Sequence, residues 1–310
     1  MNYLSLIFFQ IVAPILVLLM VGVLLHKKFQ FQLKPLANLL TYCFMPAAVF
    51  SNLYESALNL TVAWQVIKFI VIFMLCQMLL SALIAKVLRY RNTQSAIFKN
   101  SIVLINSGNY GLPVAQMIFA TQPIGVAIQV IVVIFQNMLT YTYGLYNLIS
   151  TTKSGMAILK EFLKMPLIHA LWIGIAFNYY NLSLPIFIDI PIHHIADAFI
   201  AIALITLGAQ LSQIELRSIF NKFVFTSAFV RLIIGPTLAL LIIYLLRLDG
   251  VVAQSLLIAS AFPTSRNSSS LALEYDIDSS LAAQTVLFST IVSCITVTVV
   301  IYFSQSLFPI

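Results

Sequence analysis

Apolar residues fill this chain in long stretches divided by short polar breaks, from one end to the other. Stretches of about 20 such residues cross a hydrocarbon core of about 30 Å as α-helices. None alternates with period two, so helices rather than a closed barrel must satisfy the backbone inside lipid. The pattern predicts ten spans, near 4–25, 33–54, 64–88, 95–120, 123–149, 165–182, 191–213, 220–247, 251–274 and 281–304. The connections are too short to hold a soluble domain.

Composition agrees. Hydrophobic residues make up 61% of the chain and charged residues 8%, against roughly 25% charged in a soluble domain. The net charge of +7 would suggest nucleic acid in a soluble protein. Here its placement says otherwise. With the N-terminus outside, the cytoplasmic loops hold Lys27, Lys28, Lys34, Lys86, Arg89, Arg91, Lys99, Lys153, Lys160, Lys164, Arg217 and Lys222, and the opposite loops hold Arg247. Short cytoplasmic loops collect Lys and Arg, so the asymmetry supports ten spans with both termini on the extracytoplasmic side of the plasma (inner) membrane and excludes a nucleic-acid partner. Three basic residues, Lys68, Arg231 and Arg266, fall inside or beside apolar spans. Cys43, Cys76 and Cys294 lie in separate spans without metal-ligand spacing and read as packing residues. The first apolar run has no basic residue ahead of it and does not read as a cleaved signal.

The basic stretch 151–164 divides the chain into residues 1–150 and 165–310, five spans each. An odd number inserts the second half upside down. Pro14 and Gly22 in span one have the spacing of Pro166 and Gly174 in span six. Span four carries Asn106-Ser107-Gly108-Asn109-Tyr110-Gly111-Leu112-Pro113, and span nine carries Pro263-Thr264-Ser265-Arg266-Asn267-Ser268-Ser269-Ser270. A proline removes a backbone donor and clashes with the preceding turn. The freed polar groups must face protein or a water-filled cavity. Interrupted helices at matching positions of two halves point to a transporter's binding site; the bland alternative is two kinked, packed helices.

These residues resemble the auxin efflux carrier family of bacterial and plant carriers, which includes proteins described as malate and malonate permeases. Pro14 with Gly22 and Pro46 fit its first two spans. Asn106 through Pro113 is similar to the plant carriers' Asn-Thr-Leu-Val-Met-Gly-Ile-Pro stretch. Gln136 and Tyr141 stand at similar spacing in span five, and Asp197-Ala198 leads to Leu207-Gly208 in span seven. Arg231 to Gly235-Pro236 matches an Arg-x-x-x-Gly-Pro pattern, and Ala261-Phe262-Pro263 opens a segment ending in Glu274-Tyr275. The resemblance covers nearly the whole chain. It implies an all-α membrane fold of two inverted five-helix repeats, like that of bile-acid/sodium symporters and sodium/proton antiporters. Spans one, two, six and seven would form a scaffold, possessing the surface for a homodimer. Spans three, four, five, eight, nine and ten would form a transport core that moves like an elevator, with helices four and nine crossing at their breaks. Two departures stand out: Trp64 occupies the place of an aspartate that precedes the lysine matched by Lys68, and the plant carriers' long central loop is absent.

The chemistry of the breaks suits a small organic anion, a carboxylate above all. Half-helix N-termini offer free N–H groups and partial positive charge. Asn106, Ser107, Asn109, Gln136, Thr264, Ser265, Asn267 and Ser268 add polar side chains, among the backbone of Gly108, Tyr110, Gly111, Pro113 and Pro263. Some hydroxyls will bond back to their own helices instead. Arg266 is the candidate counter-ion, since a guanidinium grips a carboxylate with two parallel hydrogen bonds; the competing reading is a structural pair. Lys68, Arg231 and Asp197 read as structural charges: Arg231 holding helices, Lys68 snorkelling or pairing, and Asp197 capping span seven. His193 and His194 read as solvated. No acid lies in either break, which weakens a cation exchanger. Coupling to H+ or Na+, or uncoupled transport, stays open, and no cofactor or metal is expected. The alternatives are a membrane sensor that binds without transport, a sodium-coupled symporter of larger anions, and a membrane enzyme, for which no metal or nucleophile motif is present.

Overall fold

The computed structural model describes residues 9, 13–55, 60–148, 166–212, 221–275 and 277–309. The expected linker 151–164, the start of span one and the basic residue Arg217 lie outside the described residues, as do the side chains of Tyr141 and Glu274. In chain order the helices are α1 (Ala13–Phe29), α2 (Leu33–Tyr54), α3 (Leu60–Val87), α4 (Asn92–Val103), α5 (Leu112–Ile118), α6 (Pro123–Leu148), α7 (Pro166–Tyr179), α8 (Ile186–Leu211), α9 (Lys222–Leu245), α10 (Gly250–Ser260), α11 (Arg266–Glu274) and α12 (Ser279–Leu307). Among the described residues, six of these (α2, α3, α6, α8, α9 and α12) are long and apolar enough to cross a membrane, and the shorter apolar helices Ile168–Tyr179 and Gly250–Ser260 accompany them.

Their outer faces are apolar. Val17, Met20 and Leu24 form an exposed stripe on α1, and Leu75, Leu79 and Leu83 form one on α3. Trp172 and Ile173 on α7, Phe187 on α8 and Leu245 on α9 are also exposed. Spacings of three and four residues put such side chains on one helix face. An apolar surface this broad belongs against lipid, where every backbone group is already paired within its helix. The protein is an all-helical integral membrane protein.

Proline shapes the helices more gently than the sequence suggests. A π-helical turn at Leu40–Phe44 precedes Pro46, one at Ser107–Gly111 precedes Pro113, and one at Val230–Ile234 precedes Pro236. In each case the proline is the second residue after the wide turn. A proline ring collides with the carbonyl one turn back and has no N–H to give it. Widening the turn relieves both problems without ending the helix. Pro113 is therefore not where span four breaks. That chain unwinds earlier, at Leu104–Asn106, while span nine unwinds around Pro263 itself.

The helices pack in two groups. In one, α1 lies along α8, α7 along α2, and α2 against α8. A Cβ on Gly22 would strike the Ile205 carbonyl, and one on Gly208 would strike the Leu19 carbonyl, so α1 and α8 touch backbone to backbone. Gly174 of α7 likewise faces α2, where an added Cβ would lie 3.2 Å from the Phe50 carbonyl oxygen. The Pro14/Gly22 and Pro166/Gly174 pairs thus mark helices that each use a glycine against a helix of the same group. The other group holds α3 to α6 and α9 to α12. Within it, α3 joins α4 and α9 joins α10 through the same turn. Arg89 and Arg247 adopt left-handed φ of 53° and 51°, and each turn closes with matching bonds, Tyr90 N–H to Ala85 O at 3.1 Å and Leu248 N–H to Ile243 O at 3.0 Å.

Candidate functional site

The two unwound stretches meet. Ile105 and Thr264 form an antiparallel bridge. The Asn106 N–H donates to Pro263 O at 2.9 Å, and the Ser265 N–H donates to Leu104 O at 2.8 Å. Each break is also supported from a neighbouring helix. Gln136 of α6 accepts the Ile105 N–H through Oε1 at 3.1 Å, and Ser289 of α12 accepts the Thr264 N–H through Oγ at 3.2 Å. Backbone groups freed within an apolar bundle need polar partners, and these partners hold the breaks open and paired.

Arg231 lies behind the junction, fully buried. Its Nη1 donates to Ile102 O at the end of α4 at 2.7 Å, its Nε to Phe262 O at 3.1 Å, and its Nη2 to Ser260 O at the end of α10. One guanidinium thus bonds to the C-terminal ends of both interrupted helices.

In front of the junction is a cavity of about 170 Å³. Ile105, Asn106, Ser107, Gly108 and Asn109 line it from the first break, and Ser265, Arg266 and Asn267 from the second. Gln136, Asn137 and Thr140 line it from α6, Thr41 and Met45 from α2, and Pro166 from α7. Asn106 is only 4% exposed, and its side-chain Nδ2 has no hydrogen-bond partner among the described residues. Ser265 Oγ accepts the Asn267 N–H at 3.2 Å and so caps the start of α11. The start of α11 and the π turn from Ser107 both line the cavity, so the positive ends of two helical segments lie beside it. Among the described lining residues there is no Asp or Glu.

The cavity gathers seven of the residues expected at the breaks, together with Gln136. The others stand behind its wall. Tyr110 is buried, with its ring edge-to-face on Phe262 at 5.9 Å and its hydroxyl 3.3 Å from Ser293 Oγ. Gly111 admits that Phe262 ring, since a Cβ would overlap it. Pro113 is buried in α5, and Pro263 contributes its carbonyl to the bridge. Thr264 donates through Oγ1 to Ser101 O at 2.7 Å, and Ser268 bonds back to Ser265 O at 2.8 Å. Both hydroxyls are thereby committed to structure.

Two of the three structural charges are not core groups. Lys68 is exposed on α3, its ammonium 5.1 Å from the Trp64 ring centre one turn away. The residue that displaces the expected aspartate is an aromatic partner for the lysine. Asp197 is exposed and does not cap its helix, because α8 continues past Pro191 and begins at Ile186 after Pro185. His193 is not simply solvated. Its Nε2 lies 3.4 Å from both Glu55 Oε1 and Asp189 Oδ1, linking the end of α2 to the start of α8.

Sequence reasoning missed Thr41, Met45, Ile105, Asn137, Thr140 and Pro166. Asn137 and Thr140 follow Gln136 on the same helix and could have been included on that ground. Thr41 and Met45 belong to a helix with no polar interruption, so only packing reveals them.

An apolar helical bundle with two unwound helices meeting at a polar cavity has the organisation of a membrane transport protein. Residues 7–301 match the membrane transport protein family, and the chain belongs to it, the auxin efflux carrier family. It is similar to an uncharacterized transporter of Methanothermobacter thermautotrophicus, 26% identical over 192 residues, 62% of each chain. The matched stretch thus spans under two thirds of that relative's length.

Proposed function

We propose that the protein is a secondary transporter of a small organic anion, most simply a carboxylate. The observation that carries this reading is the cavity at the paired breaks. Its lining offers the uncommitted Asn106 amide N–H, the Arg266 guanidinium and the positive ends of two helical segments, and no carboxylate among the described residues. Such a lining favours an anion of few atoms, and the volume of about 170 Å³ is below that of drug-sized sites. Asn106, Ser107, Asn109, Gln136, Ser265, Arg266 and Asn267 would contact the substrate.

The proposed architecture is ten passages in two inverted repeats, 1–150 and 165–310. The like turns at Arg89 and Arg247, the reciprocal bonds at the junction and the two-group packing support it. In an elevator movement the second group would carry the cavity past α1, α2, α7 and α8. The site takes Thr41, Met45 and Pro166 from that first group, as such a sliding boundary requires. Both termini would lie on the extracytoplasmic face of the plasma membrane, and the first group would supply a homodimer surface.

Counterflow of radiolabelled mono- and dicarboxylates in proteoliposomes tests the reading. Accelerated exchange is expected; binding without flux would make the protein a sensor, and chemical conversion would make it an enzyme. With the active substrate in hand, Arg266→Gln should weaken apparent affinity by about tenfold or more, the scale of a charge-assisted bidentate bond. Unchanged affinity would remove Arg266 from the site.

A further inference from the structure

Two helix C-termini converge at the junction. Each ends in carbonyls with no partner in its own helix, at the negative end of the helix dipole. In sodium-coupled secondary transporters, unwound carbonyls and half-helix C-terminal ends of this kind coordinate the ion. Here Ile102 O, Ser260 O and Phe262 O all accept from Arg231.

We propose that Arg231 is a tethered cation: its guanidinium fills the carbonyl cage where the two interrupted helices end, in place of a coupling metal ion, so that transport needs no sodium gradient. Four observations carry this. Among the described residues, Arg231 donates its hydrogen bonds to three backbone carbonyls and none to an acid. A buried charge requires such compensation, and here carbonyl dipoles supply it. A guanidinium spreads its charge over a planar fork of donors, which suits it to bind several carbonyls at once. Arg231 does not line the cavity, which separates it from the substrate's counter-ion. Finally, the π turn Val230–Ile234 ahead of Pro236 carries Arg231, and Gly235 packs against Gln77, which fixes this segment of α9 at the junction. Arg231 is thus a positioning residue that acts on the site through the ends of α4 and α10.

The gradient clause rests on the transporter reading; the tethered cation itself does not. The test therefore uses the melting temperature of the full chain in detergent, with sodium, potassium or choline chloride at equal ionic strength. The wild type should melt at the same temperature in all three. Arg231→Ala should melt lower, and millimolar guanidinium or sodium, but not choline, should raise its melting temperature. Arg231→Lys keeps a cation but not the three-way fork; it should melt between the two and show no sodium response. A saturable sodium stabilisation of the wild type would overturn the proposal, as would an Arg231→Ala protein as stable as the wild type or indifferent to every cation. Should Arg231→Ala not fold, the wild-type salt comparison and Arg231→Lys still decide. None of these readouts involves the substrate, so a mistaken anion leaves them untouched. Conversely, sodium-driven counterflow by the wild type would sink the tethered cation and leave the anion site standing.

Discussion

Gln136 illustrates how one side chain keeps an unwound helix viable in lipid. It accepts the Ile105 N–H, and its own Nε2 approaches Val103 O at 3.5 Å. Gln136→Leu leaves that N–H buried without an acceptor, at a cost of about 1–3 kcal/mol. Thermal unfolding should show the loss, and Gln136→Glu, which keeps the acceptor, should recover most of it. Asn106 poses the opposite case. Its Nδ2 has no partner to lose among the described residues. Asn106→Leu should therefore change melting little, while removing an N–H donor from the cavity and weakening anion affinity by about tenfold or more. A substitution that abolished folding instead would show that Asn106 serves the junction rather than the cavity. At this scale the polar run from Asn106 to Asn109 and the run from Ser265 to Asn267 were legible, because a cluster of polar side chains in an apolar span needs a polar neighbour. The commitment of Thr264 and Ser268 to backbone carbonyls was not legible, since a hydroxyl reads the same whether it faces a cavity or its own helix.

Among the elements, the prolines carry the lesson. Pro46, Pro113 and Pro236 each follow a π turn, and the chain unwinds elsewhere. A proline marks where an α-helix cannot be regular, but whether the helix widens or breaks depends on what neighbouring helices offer to the freed groups. The break at Leu104–Asn106 has no proline of its own; it exists because Pro263 O, Gln136 and Ser265 N–H are there to receive it. The glycines were easier to see than to interpret. Gly22 and Gly208 let α1 and α8 meet at their backbones. Gly22→Val puts branched carbons into the Ile205 carbonyl, and over-packing of this kind costs about 1–3 kcal/mol or more. The expected result is a large drop in melting temperature, with poor recovery of the protein from membranes; a stable Gly22→Val protein would mean that α1 and α8 can separate freely.

For the whole molecule, the division into two groups makes a mechanical prediction. In a background with Cys43, Cys76 and Cys294 replaced, Thr41→Cys with Asn109→Cys joins α2 to the π turn across the cavity. A short bifunctional thiol reagent should arrest counterflow if the groups slide past each other. The control is Ser101→Cys with Ser227→Cys, whose hydroxyl oxygens are 2.6 Å apart within the second group. That bridge should form and leave transport intact. Arrest by both bridges, or by neither, would contradict rigid movement of one group against the other.

The sequence by itself determined that this chain is a helical membrane protein, which two stretches are too polar to be ordinary spans, and, through resemblance, its family. These follow from local quantities: the length of apolar runs, the density of charge and the identity of neighbouring residues. Only the tertiary structure decided that the two stretches bond to each other, that Arg231 binds the carbonyl ends of both interrupted helices, and that Thr41, Met45 and Pro166 complete the cavity. Those outcomes depend on which backbone groups find partners across more than a hundred residues of chain, and no periodicity within a span records that.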